Sequence, residues 1–509
     1  MQPIPEIVIS KSKFIAGVQC LKRLYFQVYE PDVTGNLDDP DSARFEEGRE
    51  VGLLARKAFP GGVLVEQEFW EVEAALAGTA SLIEDESVPA VFEGTFRSEG
   101  VLVRADILER QPGGRWRLIE VKSSVEPKDH YLYDLAIQYH ALSGCGLDIS
   151  SAGIMHLNRE YIYDGREYDL GNLFMITDLT EEVRAIDVPA LLKEQRAVLA
   201  DSAAPDIQPG DQCMNPYECE FFSRCNTAKP EGHISFLPNL RGKKLQDLLE
   251  GGFHSIKDIP DDFLLTEIQR RNCDAIQTGR TWVSETLQEA LAGLQYPLYF
   301  MDFESLNPAI PRFEGTWPYH QIPFQWSVHR RLEPGAGLDH FEFLATDSED
   351  PRRDFISSLC ETLGQHGHII VYNASFESQR LSQLADRFPE FRDRIEAIKV
   401  RLWDLLPVVR NHVYHPDFHG SFSLKSVLPA LVPDLTYEGL EVANGADAGV
   451  AWERLVRGNL SDPEKERLKV ALLAYCEQDT LAMVRVLEQL RALRVLSDND
   501  QKYSDATGL

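Results

Sequence analysis

The sequence predicts an α/β protein made of two modules, and three observations carry that expectation. The chain has 509 residues, more than one ordinary hydrophobic core accommodates when domains run to ~100–200 residues. Two stretches mix strand-like with helix-like patterning, one over residues 89–157 and the other over 297–494, which is the sign of strands and helices sharing a core. Between them, 231–292 changes character and reads as short helices joined by Gly and Pro turns. The modules are therefore expected at 1–230 and 293–495, with 231–292 as a helical connector and 496–509 as a tail. No fixed period suggests a repeat array and no Gly/Ser tract suggests disorder.

Segment 43–58, ARFEEGREVGLLARKA, has helical spacing. Residues 89–122 read as a meander of strands, PAVFEGTF, GVLVRADILER and RWRLIEVKS, with the turn QPGG between the last two. A helix is expected at about 129–143 and a further strand at SAGIMHL. The connector carries Arg241, Lys243 and Lys244, a basic set that suits either a solvated face or a contact with a nucleic-acid backbone. The second module opens with the strand PLYFMDFES, continues with a buried strand at GHIIVYN, and ends in a long helix over about 461–494.

Charge sets the main constraint on partners. The chain holds 81 Asp and Glu against 51 Lys and Arg, a formal net charge of −30, which counts against a generic grip on a phosphate backbone by basic side chains. Divalent cations held by clustered carboxylates would reverse that sign locally. Residues 1–25 lack the pattern of a signal peptide and no apolar run is long enough to span a bilayer, so a cytoplasmic protein with no membrane partner is expected. Eight cysteines in an intracellular chain argue for ligation rather than disulfides. Cys213, Cys219 and Cys225, with five residues in each gap, are the obvious group.

Two sets of acidic residues suit metal binding. Asp106 lies in LVRADILE, and IEVKSS places Glu120 and Lys122 on one face of a strand with Val121 pointing the other way. Two carboxylates there would hold Mg²⁺ or Mn²⁺, and the lysine would orient water or neutralise developing charge. In the second module, Asp302 and Glu304 alternate in register at the end of YFMDFES and project together. Tyr475 and Asp479, in YCEQD, are four apart and share a helix face.

The first set resembles the PD-(D/E)XK nuclease superfamily, RecB-like branch, in which the turn-separated strands precede a helix with Gln and Tyr, here Gln138 and Tyr139. The resemblance implies a restriction-endonuclease-like core. Within that branch the chain resembles the CRISPR-associated iron-sulfur nucleases and the AddB nuclease domain, with one cysteine near the start and three after the core. That layout implies that Cys20, Cys213, Cys219 and Cys225 hold a 4Fe-4S cluster; four cysteines also suit a structural Zn²⁺. The spacing of the last three is wider than the common form. Where these relatives often have a further histidine ligand, this chain has Gly52; Glu93, in VFEGTF, is either a substitute or an ordinary strand residue.

The second set resembles the DnaQ-like DEDD exonucleases of the tyrosine subtype, which have a ribonuclease-H-like fold. The resemblance implies Asp302, Glu304 and Asp479 as ligands of two cations ~3.5–4 Å apart and Tyr475 as the residue that orients the attacking water. In IIVYNASFESQRL, Asn373 and Phe376 match the middle motif while Glu377 stands at the aspartate position, where it reaches one methylene further and can still bind a metal ion. Asp404, in RLWDLLP, reads as a further acidic contributor or as a helix start. The ordered run from LYFMDFES through VYNASFES, RLWDLLP and GSFSLKSVLPAL to AYCEQD also looks like a bacterial domain of unknown function often joined to a RecB-like module. His419, Ser421, Ser423 and Lys425 there either touch substrate or cap the following helix.

These resemblances imply a metal-dependent nuclease that degrades or trims DNA, with single-stranded DNA or DNA ends as substrate and both modules, or one of them, catalytic. The other class left open is a non-catalytic iron-sulfur scaffold that binds nucleic acid or a protein partner. Acidic charge favours the scaffold, whereas Lys122 and Tyr475 are residues that chemistry needs and folding does not.

Overall fold

A computed structural model describes residues 7–31, 40–226, 232–234, 237–238, 240–442 and 444–494. The expected tail, 496–509, lies outside the described residues. The chain divides into two compact units, one of Met1–Ala228 with Pro308–His320, the other of Lys229–Asn307 with Gln321–Leu509. The helices of 231–292 thus group with the second unit, and a short segment from within 293–495 groups with the first.

In the first unit seven strands form one sheet. At its centre is the meander Ala90–Ser98, Val101–Gln111 and Arg115–Val121. Gly113 and Gly114 turn the chain before the third strand at φ +80 and +75, a region that residues with a Cβ avoid. The helix Tyr131–Gly144 then carries the chain to Ile149–Leu157, which lies parallel to Arg115–Val121. Alternation gives the sheet two apolar faces. One buries Val103, Leu118 and Ile154 with Leu135 and Ile137 of that helix. The other buries Phe92, Ile107, Ile119 and Met155 with Val51 and Ala55 of the helix Pro40–Arg56, and with Ala309 and Ile310 of the late segment. Polar bonds tie that segment in: the Tyr319 hydroxyl donates to the Ser123 carbonyl at 2.8 Å, and the Tyr163 N–H donates to the Thr316 carbonyl at 2.9 Å.

The second unit is built on a five-stranded sheet in the order Asp339–Leu344, Ile322–Arg331, Leu298–Leu306, Ile369–Val371, Leu402–Asp404. The first two pairings are antiparallel and the last two parallel. Tyr299, Met301 and Phe303 of the central strand enter one core with Phe355 and Leu359, while Leu298 and Phe300 enter another with Met483, Val486 and Leu490. Those last three belong to the helix Asp462–Ala492, which opens with a capping box of Ser461 and Glu464 and a proline in its first turn. The short helices Lys243–Glu250 and Glu267–Thr278 close a small core around Leu248, Ile256 and Cys273, with Arg241, Lys243 and Lys244 exposed. Among the described residues no helix is long and apolar enough to cross a membrane.

Candidate functional site

In the second unit, Asp302 and Glu304 prolong the strand face that buries Leu298 and Phe300, so they meet the same long helix one turn beyond its apolar contacts. That helix presents Tyr475 and Asp479. Asp302, Glu304, Asn373, Glu377, Tyr475 and Asp479 all line one cleft of about 480 Å³. Oxygens of Asp302 and Glu304 and the Cys476 sulfur lie within 4.8 Å of one another. Glu304, Glu377 and Asp479 are buried, and one Glu377 oxygen, Oε2, is buried without a hydrogen-bond partner.

Burial first, and then repulsion between neighbouring acids, holds the Asp302, Glu304 and Glu377 carboxyls well above the usual carboxylate range. Burial raises Asp479 as well. Lys425 draws three of the four down and Arg380 the other, yet all remain raised. The Lys425 ammonium lies 5.0 Å from the Tyr475 ring centre. The Tyr437 hydroxyl donates to Asp479 Oδ1 at 2.5 Å, which fixes the carboxylate on the helix. Hard oxygen donors, buried and repelling one another, are a donor set that Mg²⁺ or Mn²⁺ fits.

The neighbours of this cleft have structural duties. Asp404 accepts from the N–H groups of Asn373 and Ala374 at 3.0 Å and caps its own helix at Leu406, so it shapes the turn and does not line the cleft. Asn373 sits there at φ +82, a conformation that asparagine tolerates better than most residues. Ser423 caps the helix Leu424–Leu431, Ser421 bonds to Ser423, and His419 ends a 3₁₀ turn in the left-handed region; of that group Lys425 is the one whose charge acts on the cleft.

The first unit treats its acids differently. Glu120 prolongs the face of Trp116 and Leu118 beneath the helix Tyr131–Gly144. Lys11 reaches both of its oxygens at 2.9 and 3.1 Å, Lys122 reaches one at 2.9 Å, and the Gln138 amide donates to the other at 2.7 Å. Lys122 also donates to Asp134 at 2.7 Å. Despite burial, the two ammonium groups hold the Glu120 carboxyl well below its ordinary range. Asp106 accepts from the Val121 N–H at 2.7 Å, and burial together with the Glu120 charge pushes it up to about 7.

Glu93 stands opposite Asp106, between the registered pairs Phe92/Ile107 and Gly94/Ala105, at φ +56. Arg56 holds it at 2.5 Å and Arg104 at 3.6 Å. Asp106, Glu93, Lys11 and Arg104 line a cleft of about 460 Å³ with Phe69. Tyr139 takes no part: its hydroxyl accepts from Arg184 at 3.1 Å. Gly52 lies on a helix face where an added Cβ would meet nothing within 4 Å.

Sequence reasoning missed Lys11, Asp134 and Tyr437. Lys11 is 109 positions from Glu120 and Tyr437 is 42 from Asp479, and neither lies in a pattern that links it to its partner. Asp134 had a signal, since it shares a helix face with Gln138 at four residues' spacing.

Cys20, Cys213, Cys219 and Cys225 line one small pocket with Ile207, Phe26, Phe221 and Phe222, and all four are free thiols. The Gln19 amide bridges the two chain segments by donating to the Gln212 and Tyr217 carbonyls at 2.7 and 2.8 Å. Burial pushes Cys219 up to about 11 and raises Cys225, so ligation would have to displace protons. Four cysteines lining one pocket, with Lys22 and Arg23 also at its wall, are by ligand type a donor set for an iron-sulfur or zinc centre, although their sulfurs are not drawn within 4.8 Å of one another.

Residues 299–423 match the family model of DUF2779, a domain of unknown function. The matched region contains Asp302, Glu304, Glu377 and Asp404 and stops short of Lys425, Tyr475 and Asp479. The uncharacterized protein UU173 of Ureaplasma parvum serovar 3 is 24% identical over 248 residues, which is 44% of this chain and 36% of that protein. No solved structure matches the chain.

Proposed function

We propose that the protein is a divalent-metal-dependent nuclease that degrades or trims DNA, with RNA as the second candidate substrate, and that its second unit is a DnaQ-like domain removing nucleotides from 3′ ends. The observation that carries this reading is the convergence of Asp302, Glu304, Glu377 and Asp479 with Tyr475 on one cleft in which every carboxyl is raised. Those carboxylates would hold Mg²⁺ or Mn²⁺, whose chemistry is to polarise phosphoryl oxygens and lower the pKa of water. Burial and the Asp479 charge keep the Tyr475 phenol protonated, so it donates a hydrogen bond and orients water without taking up charge. Tyr437 holds Asp479 in place, and Lys425 brings the positive charge that a phosphate needs on approaching so acidic a cleft.

In this reading the first unit is RecB-like, with Asp106 and Glu120 as ligands, Lys122 as the catalytic lysine, and an iron-sulfur cluster, or zinc, on Cys20, Cys213, Cys219 and Cys225. The Lys11 contact favours a second version in which this unit binds nucleic acid or a protein partner without cutting. Purified protein incubated with end-labelled single and double strands tests the proposal. Shortening from the 3′ end with Mg²⁺ or Mn²⁺, stopped by EDTA, is expected; intact strands under all conditions would leave the scaffold reading standing.

A further inference from the structure

We propose that His329, His340 and Glu477 form a separate transition-metal site, for zinc in the first instance, on the flank of the long helix opposite Tyr475. At 100° per residue, positions 475 and 477 fall on opposite sides of the helix line that packs on the sheet. The two histidines are direct partners across the hairpin of Ile322–Arg331 and Asp339–Leu344, with ring centres 4.5 Å apart. One ligand atom from each of the three residues lies within 4.8 Å of the other two.

The backs of the rings are already held. The Thr480 hydroxyl engages His329 Nδ1 at 2.8 Å and the Ser327 hydroxyl engages His340 Nε2 at 3.0 Å, while the two hydroxyls bond to each other at 2.8 Å. Partners of this kind, bonded to the nitrogen that does not bind metal, fix ring orientation at metal centres. His329 Nε2 and His340 Nδ1 are left over, the latter 3.6 Å from Glu477 Oε1. Burial holds His329 at about 4, so its ring is neutral and keeps a lone pair at neutral pH.

Ligand atoms around tetrahedral zinc sit roughly 3.4 Å apart, given bonds of ~2.0–2.1 Å. The trio must therefore draw in, by rotation of the exposed Glu477 and a tilt of the half-buried His340 about its Ser327 contact, out of its stacking on His329. Two imidazoles and one carboxylate select a borderline transition ion, whereas the carboxylates of the acidic cleft favour Mg²⁺ or Mn²⁺. The chain would thus sort two kinds of ion to two flanks of one helix. A bound ion would clamp the hairpin to the turn that carries Asp479. This inference stands on its own geometry and does not require nuclease activity.

The test uses the full chain in excess Mg²⁺, titrated with Zn²⁺ and separately with Co²⁺. Beyond any ion held by the four cysteines, we expect one equivalent that Mg²⁺ does not displace and that, as Co²⁺, gives weak visible bands without strong thiolate charge-transfer absorption. His340→Ala and Glu477→Gln should each lose it, Ser327→Ala should weaken it by about 10–100-fold, and Cys213→Ser should leave it. Glu477 is exposed, so its variant remains informative if the histidine variant misfolds, which circular dichroism reports. Equal Zn²⁺ uptake by wild type and a folded Glu477→Gln, or absorption of thiolate type alone, would overturn the assignment.

Discussion

Glu120 in the first unit and Glu304 in the second arrive at their sites by the same route: each prolongs an apolar strand face until it runs out beneath a covering helix. Their surroundings then diverge. Glu120 meets Lys11, Lys122 and the Gln138 amide and is held ionised. Glu304 meets Asp302 and Asp479 and resists ionisation. A buried carboxylate needs a counter-charge from somewhere. In one unit the chain supplies it; in the other the carboxyls stay protonated, and on the proposed reading a cation from solution would supply it.

The largest expected effect separates the units by activity. Asp302→Asn or Asp479→Asn should lower digestion of a single-stranded 3′ end by at least about 100-fold, with Asp106→Asn leaving most of it, as read from the digestion ladder. Equal losses from Asp106→Asn and Asp302→Asn would break the contrast. Next in size is stability in the first unit. Lys11→Met removes one of the two ammonium partners of Glu120 and should cost about 1–3 kcal/mol in urea unfolding, without touching removal of nucleotides from the 3′ end by the second unit.

A pH series sharpens the same contrast. A carboxyl raised on folding keeps protons that the unfolded chain has released, so metal-free stability falls as pH rises from the unfolded pKa through the folded one. Asp302→Asn should therefore raise the melting temperature of the EDTA-treated protein, by more at about pH 8 than at about pH 5. Adding Mn²⁺ to wild type should reproduce the gain, and to the variant much less of it. A variant gain that shrinks with rising pH would count against the raised carboxyls. The smallest effect lies outside both clefts: Gly52→Ala should stabilise by about 0.5–1 kcal/mol, since helical glycine is costly and nothing crowds the added methyl.

Periodicity makes the meander 89–122, the helix before SAGIMHL, the strand PLYFMDFES and the terminal helix legible, because each carries its pattern within itself. The hairpin of Ile322–Arg331 and Asp339–Leu344 escapes such a reading: its first strand is buried on nearly all sides and so shows little alternation. The acids of the second cleft are readable as short motifs, since i, i+2 on a strand and i, i+4 on a helix are local rules. What surrounds them is not. Lys11 and Tyr437 depend on which distant segments meet, and nothing in the neighbourhood of each residue encodes it; the His329–His340 pairing is local, across the EPGAG turn, but its register is set by the hairpin and not by a motif around either histidine.

The segment Pro308–His320 has a consequence for how the protein is made. Ala309 and Ile310 are 1% exposed within a core otherwise built from residues before 175. A ribosome that has finished Ala228 has therefore not finished the first unit, whose last pieces appear 80 to 92 codons later. A gene cut after the cysteines would yield a fragment with an open seam, and expressing the two halves from separate messages would leave the first half waiting for a peptide that only the second can deliver.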